Sequence, residues 1–270
     1  MVRHTSVLNN HNKLPVKSKK DLIFGIHSVS EAVRSGKAIE KVLVRKGISG
    51  AAMSDLLRHF RISDTAIQYV PEEKLNRLAG KHHQGIVAFI SEIGYYSLED
   101  VIPFVFEQGK SPVILVLDGI TDVRNFGAIA RTAECAGVDA MLVPVRGSAS
   151  INADAIKTSA GALHDIPVCR TGDLIRSLQF LRNSGLYLIG ASEKAEKTYF
   201  DTDFTIPFAI IMGAEDKGIS PKIMRMTDLL VRIPVFGMIQ SLNVSVAASL
   251  IIYEAVRQRR PGGEQVIRNH

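Results

Sequence analysis

The sequence predicts two α/β domains in series, and three observations carry that reading. Short β-branched runs alternate with amphipathic helical runs from residue 21 onward, the pattern of strand–helix units. One run, VILVLDGI at 113–120, is almost continuously apolar, as suits a parallel strand buried on both faces. The chain has 270 residues, and at ~150 residues per domain that length holds about two domains.

Taken in order, residues 1–20 show no hydrophobic period and read as a mobile tail. The first domain is expected over 21–94. Within it KVLVRK (41–46) alternates as a strand does, and AAMSDLLRHF (51–60) spaces its apolar residues as a helix does. AIQYV (66–70) reads as a second strand. PEEKLNRLAG (71–80) reads as a helix, with Pro at its start, two acids in its first turn and Gly at its end. GIVAFI (85–90) is a third strand. Residues 95–112 turn mixed and acidic, end in the turn cluster QGKSP, and read as a linker. The second domain is expected over 113–270. It runs strand 113–120, helix 126–137, strand 140–144, helix 153–160, strand 166–169, helix 173–183, and strands 186–191, 208–213 and 229–235. A last helix follows at 244–260. Its basic residues fall in its final turns, where the helix dipole favours them. A mostly parallel sheet follows, with ligands expected at the carboxyl ends of its strands.

Composition narrows the function. Apolar residues make up 46% and charged residues 22%, which excludes a wholly disordered chain, a collagen and a coiled coil. No apolar run approaches the ~18 residues that span a bilayer. With no apolar segment behind the N-terminal charges, a cytoplasmic protein without a secretory signal is expected. Cys135 and Cys169 form no C-x-x-C pair and read as buried small hydrophobes in a reducing compartment. Neither they nor any H-E-x-x-H point to a metal. The net charge of +6 is uneven: +5 in the tail (Arg3, Lys13, Lys17, Lys19, Lys20), +2 over 21–94, −2 over 95–112 and +1 beyond. A basic tail suits a phosphate-rich partner, or simply keeps the protein soluble.

Three strand-end segments hold unusual polar content. In DGITDVRNFGAIARTAECAG (118–137), Asn125 stands at the expected helix start, where it serves as an N-cap or as a functional side chain. Gly127 permits a close approach. Arg131, set among alanines, is a surface charge or an anion clamp. In IMGAEDKGIS (211–220), Gly213 and Gly218 have the spacing of a phosphate loop, but Ile219 replaces the lysine and two acids sit in the loop. A triphosphate would be repelled, which excludes that class. Glu215 better suits a neutral or cationic ligand, unless it is a surface acid on a tight turn. In IPVFGMIQSLNVSVAAS (233–249), Ser241 and Asn243 precede a helix that one of them caps, and both are candidates to line a pocket. No G-x-G-x-x-G occurs, which removes the dinucleotide-binding fingerprint.

In order and spacing, NFGAIARTAECAG, MGAEDKGIS and IPVFGMIQSLNVSVAAS resemble the three motifs of the SpoU/TrmH family, the SPOUT-superfamily branch that methylates ribose 2′-hydroxyls in RNA. The match spans about 113–260. FGIHSVSEAV (24–33) and HHQGIVAFI (82–90) resemble the small ribosomal-protein-like RNA-binding domain of the RlmB-type branch, which modifies a guanosine in the peptidyl-transferase region of large-subunit (23S) rRNA. The resemblance implies a second domain with a deep trefoil knot that holds S-adenosylmethionine (AdoMet), no metal, and a homodimer whose active site borrows residues across the interface. It implies catalytic roles for Asn125, Arg131, Glu215, Ser241 and Asn243. It implies cofactor contacts at Gly213, Ile233 and Leu242, largely through backbone. In the first domain Gly25, His27, His83 and Gln84 become candidate RNA contacts, or else residues that cap a helix and form a turn. One departure is visible: many members have Asp-Pro-x-Asn where this chain has Asp122-Val123-Arg124-Asn125.

The chemistry implied is an in-line displacement that needs alignment and removal of a proton from a weakly acidic hydroxyl. A guanidinium is a poor proton acceptor, so a milder role for Arg131 is to hold the target phosphate and stabilise the alkoxide. The rivals are a tRNA ribose methyltransferase of the same family, a resistance-type methyltransferase acting on another rRNA site, and an RNA-binding ribosome-assembly factor without catalysis.

Overall fold

A computed structural model describes residues 22–239 and 241–259. The basic tail expected at 1–20 lies outside the described residues.

The first domain has the elements β1 (Leu22–Phe24), α1 (Ile26–Arg34), β2 (Ile39–Arg45), α2 (Ala51–Ile62), β3 (Ala66–Val70), α3 (Glu72–Ala79) and β4 (Ile86–Ile90). The strands lie in the order β1-β4-β2-β3, antiparallel except for the β2–β3 pair. Side chains alternate across β2, so both faces of the sheet need cover. Val42 and Val44 meet Val29 of α1 and Met53, Leu56 and Phe60 of α2. Leu43 on the opposite face packs with Leu75 of α3, Val70 and Val87. The expected strands and helices are present here. The first two elements carry little sequence signal: β1 has three residues, and α1 has no side-chain cap and starts from Gly25 at φ +85°.

The second domain begins earlier than its first strand. The segment expected as a linker contains α4 (Leu98–Glu107), capped by Ser97, whose Oγ accepts the Glu99 N–H at 3.1 Å. Pro103 inside it costs about 3 kcal/mol. Burial of Leu98, Val101, Ile102 and Val105, at about 1.5–3 kcal/mol each, outweighs that cost. These four side chains join the core beneath the second sheet.

The remaining elements are β5 (Val113–Asp118), α5 (Val123–Ala136), β6 (Ala140–Pro144), α6 (Ala153–Thr158), β7 (Val168–Thr171), α7 (Leu174–Asn183), β8 (Tyr187–Ala191), β9 (Lys197–Thr198), β10 (Phe208–Gly213), α8 (Pro221–Met224), β11 (Leu229–Arg232) and α9 (Val244–Arg259). Seven strands form one parallel sheet in the order β7-β6-β5-β10-β8-β11-β9. Helices α5, α6 and α9 contribute to the core on one face, through Ile129, Ala133, Ala155, Ala248 and Ile251. Helices α4, α7 and α8 cover the other through Ile102, Leu178, Leu181 and Ile223. Gly127 brings α5 close to α6: an added Cβ would lie 2.6 Å from the Cβ of Thr158.

Three sequence expectations change. Helix α5 starts three residues before the expected 126, because Asp122 caps it, accepting the N–H of Arg124 at 2.7 Å and of Asn125 at 3.2 Å. Asn125 is therefore not the cap and its side chain is free for other work. Cys169 is buried as expected, and desolvation pushes its thiol up to about 12. Cys135 is exposed, on the solvent side of α5.

Candidate active site

Strands β5 and β10 lie side by side at the centre of the sheet, with Asp118 and Gly213 in register at their carboxyl ends. The Asp118 carboxylate accepts the Ser220 N–H at 2.7 Å and ties the loop after β10 back to β5. That loop is tight: the Ala214 N–H donates to Gly218 O at 3.1 Å and the Gly218 N–H donates to Ala214 O at 2.7 Å. Glu215 lies exposed in this loop.

Helices α5 and α9 run side by side on one face, joined near their middles by Thr132 and Ser249 hydroxyls 3.1 Å apart. Their amino ends bring Asn125 and Asn243 to Glu215. The Asn125 side-chain amide donates to Glu215 Oε2 at 3.1 Å. The Asn243 amide donates to Asn125 Oδ1 and to Glu215 Oε1, each at 3.1 Å. The Asn243 oxygen accepts the Ser245 N–H at 2.9 Å and the Ser245 hydroxyl at 2.6 Å, as a helix cap does.

These bonds decide which member is free to act. A side-chain amide has two N–H donors and one oxygen with two lone pairs. Asn243 uses both donors and both lone pairs within the protein, so it orients the others. Asn125 keeps one N–H and one lone pair for a ligand.

Beside this triangle lies a cavity of about 260 Å³. Its walls come from residues 191–194 after β8, 212–219 around the β10 loop, and the stretch from β11 into α9. Gly213, Glu215, Ile233, Ser241 and Leu242 all line it. The end of β10 and the β11–α9 connection therefore bring the expected cofactor residues to one space. Arg131 stands apart from them: it is exposed on α5 and makes no side-chain hydrogen bond or ion pair among the described residues. Also among the described residues, no group of three His, Cys, Asp or Glu side chains is placed to hold a metal ion, and no helix is long and apolar enough to cross a membrane.

Compared with known proteins, residues 112–253 match the model of the SpoU rRNA Methylase family. The chain belongs to that family. Residues 22–96 of this SpoU methylase match a second model, described as RNA 2′-O ribose methyltransferase substrate binding. It is 34% identical over 238 residues to a Staphylococcus epidermidis protein named for the TrmH family of tRNA/rRNA methyltransferases, covering 88% of this chain and 96% of that one. Its fold is similar to that of the SpoU methyltransferase AviRb from Streptomyces viridochromogenes, solved in complex with the cofactor AdoMet. The TM-score is 0.57 at 27% identity, covering 88% of this chain and 90% of that chain. A solved RNA 2′-O ribose methyltransferase gives a TM-score of 0.53 at 27% identity, covering 88% of each chain.

In the substrate-binding domain the four candidate RNA contacts separate. His27 is exposed on the first turn of α1. His83 is buried, and both ring nitrogens are engaged: Nδ1 accepts the Gly85 N–H at 2.9 Å, and Nε2 faces Asn76 Oδ1 at 3.1 Å. This sets the tautomer with the proton on Nε2 and leaves no ring edge for a base, so His83 supports the turn. Gln84, at φ +49°, accepts the Ile26 N–H at 2.9 Å on its side-chain oxygen and closes the start of α1. Gly25 is buried beneath it: a Cβ there would meet that same oxygen at 3.3 Å. Only His27 keeps a side chain directed to solvent without such a task. The H-H-Q-G run was legible as a turn, and its positive-φ glycine is the signal that favours that role.

Proposed function

We propose that this SpoU methylase transfers a methyl group from AdoMet to the ribose 2′-hydroxyl of a guanosine in large-subunit (23S) rRNA, acting as a cytoplasmic homodimer. The observation that carries the reading is the Asn125–Glu215–Asn243 triangle at the edge of a cavity lined by Gly213, Ile233 and Leu242.

The residues present fit AdoMet. Gly213 lets the loop after β10 fold tightly back on the strand end and so sets this wall of the cavity, since a Cβ there would fall 2.0 Å from the Gly218 carbonyl carbon. Apolar walls from Ile233, Leu242 and Val231 suit an adenine ring, and three carboxylates (Glu193, Glu215, Asp216) against two lysines (Lys194, Lys217) leave a lining that tolerates a cationic sulfonium. When bound, AdoMet supplies a methyl group already activated on a sulfonium. The chain's own residues then have two tasks, to align the ribose and to manage the hydroxyl proton. Asn125 offers its spare N–H and lone pair to the ribose, while Asn243 and Glu215 hold its amide in one orientation. Ser241, on the cavity wall, offers a hydroxyl to the same region. Arg131 clamps the target phosphate and stabilises the alkoxide as the proton departs to phosphate or water.

The homodimer accounts for two features of the single chain. Leu242, Val246, Leu250 and Tyr253 expose an apolar face along the start and outer side of α9, and Tyr253 is 50% exposed. Arg131 has no partner in its own chain among the described residues, as expected if its phosphate clamp serves a site completed by a second copy. The knotted path implied for the second domain belongs to this reading; the three loops that wall the cavity are those such a knot would tie.

The test is methyl transfer from labelled AdoMet to 23S rRNA and, separately, to bulk tRNA, followed by nucleoside analysis. Label in 2′-O-methylguanosine from rRNA alone is expected. Label in tRNA alone would keep the chemistry and overturn the substrate. Absence of AdoMet binding would reduce the chain to an RNA-binding assembly factor.

A further inference from the structure

The two domains meet along β7, the edge strand of the large sheet. Tyr96, in the connecting segment, donates its N–H to Val168 O at 2.9 Å and forms a parallel bridge with Cys169. Asp64 of the first domain lies over Gly172, where an added Cβ would come within 2.3 Å of its carboxylate. Between these contacts sits a polar cluster that the catalytic reading does not use.

Its centre is Glu40. The β2–β4 register shifts between Ile39 and Lys41, so Glu40 stands at a bulge that turns its side chain out of the sheet pattern and toward the second domain. Arg170 of β7 donates through Nη1 to Glu40 O at 3.1 Å and to Glu40 Oε2 at 3.2 Å. Its guanidinium lies 4.6 Å from the centre of the Tyr95 ring. The Tyr95 hydroxyl donates to Glu40 Oε2 and accepts from the Ser91 hydroxyl. The ion-paired side chains are only 11% and 13% exposed. Burial and the adjacent Glu40 carboxylate push the Tyr95 phenol up, which keeps its proton available to that bond. One residue from each domain and one from the connection thus share a single desolvated cluster. A buried ion pair is weak evidence for added stability, and its better-attested use is to fix one arrangement against others.

We infer that Glu40, Arg170 and Tyr95 form a latch that fixes the angle between the domains, making them positioning residues that hold bound RNA in register with the active site. This rests on the proposed reading in which the first domain holds the RNA.

The test uses the full chain with Glu40→Ala, and Glu40→Gln as the variant that keeps side-chain shape. Small-angle scattering reports the interdomain distances without RNA, calorimetry reports the AdoMet dissociation constant, and steady-state kinetics report KM and kcat for 23S rRNA. A latch loss that leaves the competent angle in about a tenth of molecules raises the apparent RNA KM about tenfold. Glu40→Ala is expected to do this, with a broader distance distribution and with kcat and AdoMet affinity within about twofold. Glu40→Gln is expected to fall between it and wild type. The sign is diagnostic: removing an acid near RNA would tighten binding on charge alone. An unchanged distance distribution, an unchanged or lowered RNA KM, or an equal loss of AdoMet affinity overturns the latch. Failure of the wild-type chain to methylate any RNA would overturn the functional reading instead, and the scattering result would still decide whether the latch exists.

Discussion

Replacing Gly213 with alanine tests the cavity at its least forgiving point. The new Cβ would lie 2.0 Å from the Gly218 carbonyl carbon and 2.1 Å from the Ile219 nitrogen, where ordinary contact begins at 3.4 Å. Both neighbours are backbone, so no side chain can rotate away, and the loop must retreat by about 1.4 Å. Two hydrogen bonds between Ala214 and Gly218 hold that loop shut. Overpacking of this kind costs about 1–3 kcal/mol. If the mutant loop relaxes outward, AdoMet must restore it on binding, and its affinity falls by that same energy, about 5- to 150-fold. Calorimetric titration with AdoMet measures this, with Gly237→Ala as the control, since its Cβ would meet nothing within 4 Å. A folded Gly213→Ala protein that binds AdoMet within twofold of wild type, while the control behaves alike, would refute the assignment of this loop as a wall of the cofactor site.

Three further outcomes follow from other parts of the molecule. Arg131→Lys, which keeps the charge but loses the planar fork, is expected to lose most methyl transfer while AdoMet affinity stays near wild type; full turnover would remove Arg131 from catalysis. The buried Cys169 thiol is raised from its ordinary 9.0 to about 12. Above pH ~9 the unfolded chain therefore releases a proton that the folded chain retains, and stability falls as pH rises from ~9 toward 12, by up to about 1.4 kcal/mol per pH unit from this group. Cys169→Ala should flatten that slope in denaturant titrations at pH 8 and pH 11, and a thiol reagent should find Cys135 at once but Cys169 only on unfolding. The Arg259 guanidinium donates to the carbonyls of Phe204, Ser111 and Ile206, each at 2.6 Å, and lies 5.1 Å from the Phe208 ring centre. Arg259→Ala strands those acceptors and is expected to cost about 3 kcal/mol, read as a Tm lower by about 6–12 °C.

The sequence by itself determined whatever depends on neighbours a few residues away. The alternation in β2, the Pro-initiated α3 and the apolar run of β5 specify their own conformations, because their side-chain periods match the backbone that they build. The resemblance named candidate site residues, and Gly213, Glu215, Asn125 and Asn243 lie in the loops and helix starts beyond the carboxyl ends of the strands, where an open α/β sheet places ligands. What the tertiary structure alone decided are relations between residues far apart in the chain. Asn125 meets Glu215 across 90 positions and Asn243 across 118, and only the geometry of parallel crossovers sets which side chains face each other there. The same holds for the division of labour within that triangle, because counting donors and acceptors requires knowing every partner. His83 illustrates the reverse case: a histidine next to a turn looks like a surface contact until Asn76 closes over it. Helix α4 was hidden by Pro103, since local propensity opposed it and only burial against the second core outweighed that cost. The latch residues carried no local signal at all. A bulge is a mismatch between two strands, so the direction in which Glu40 points is written in the pairing of β2 with β4 and not in either strand alone.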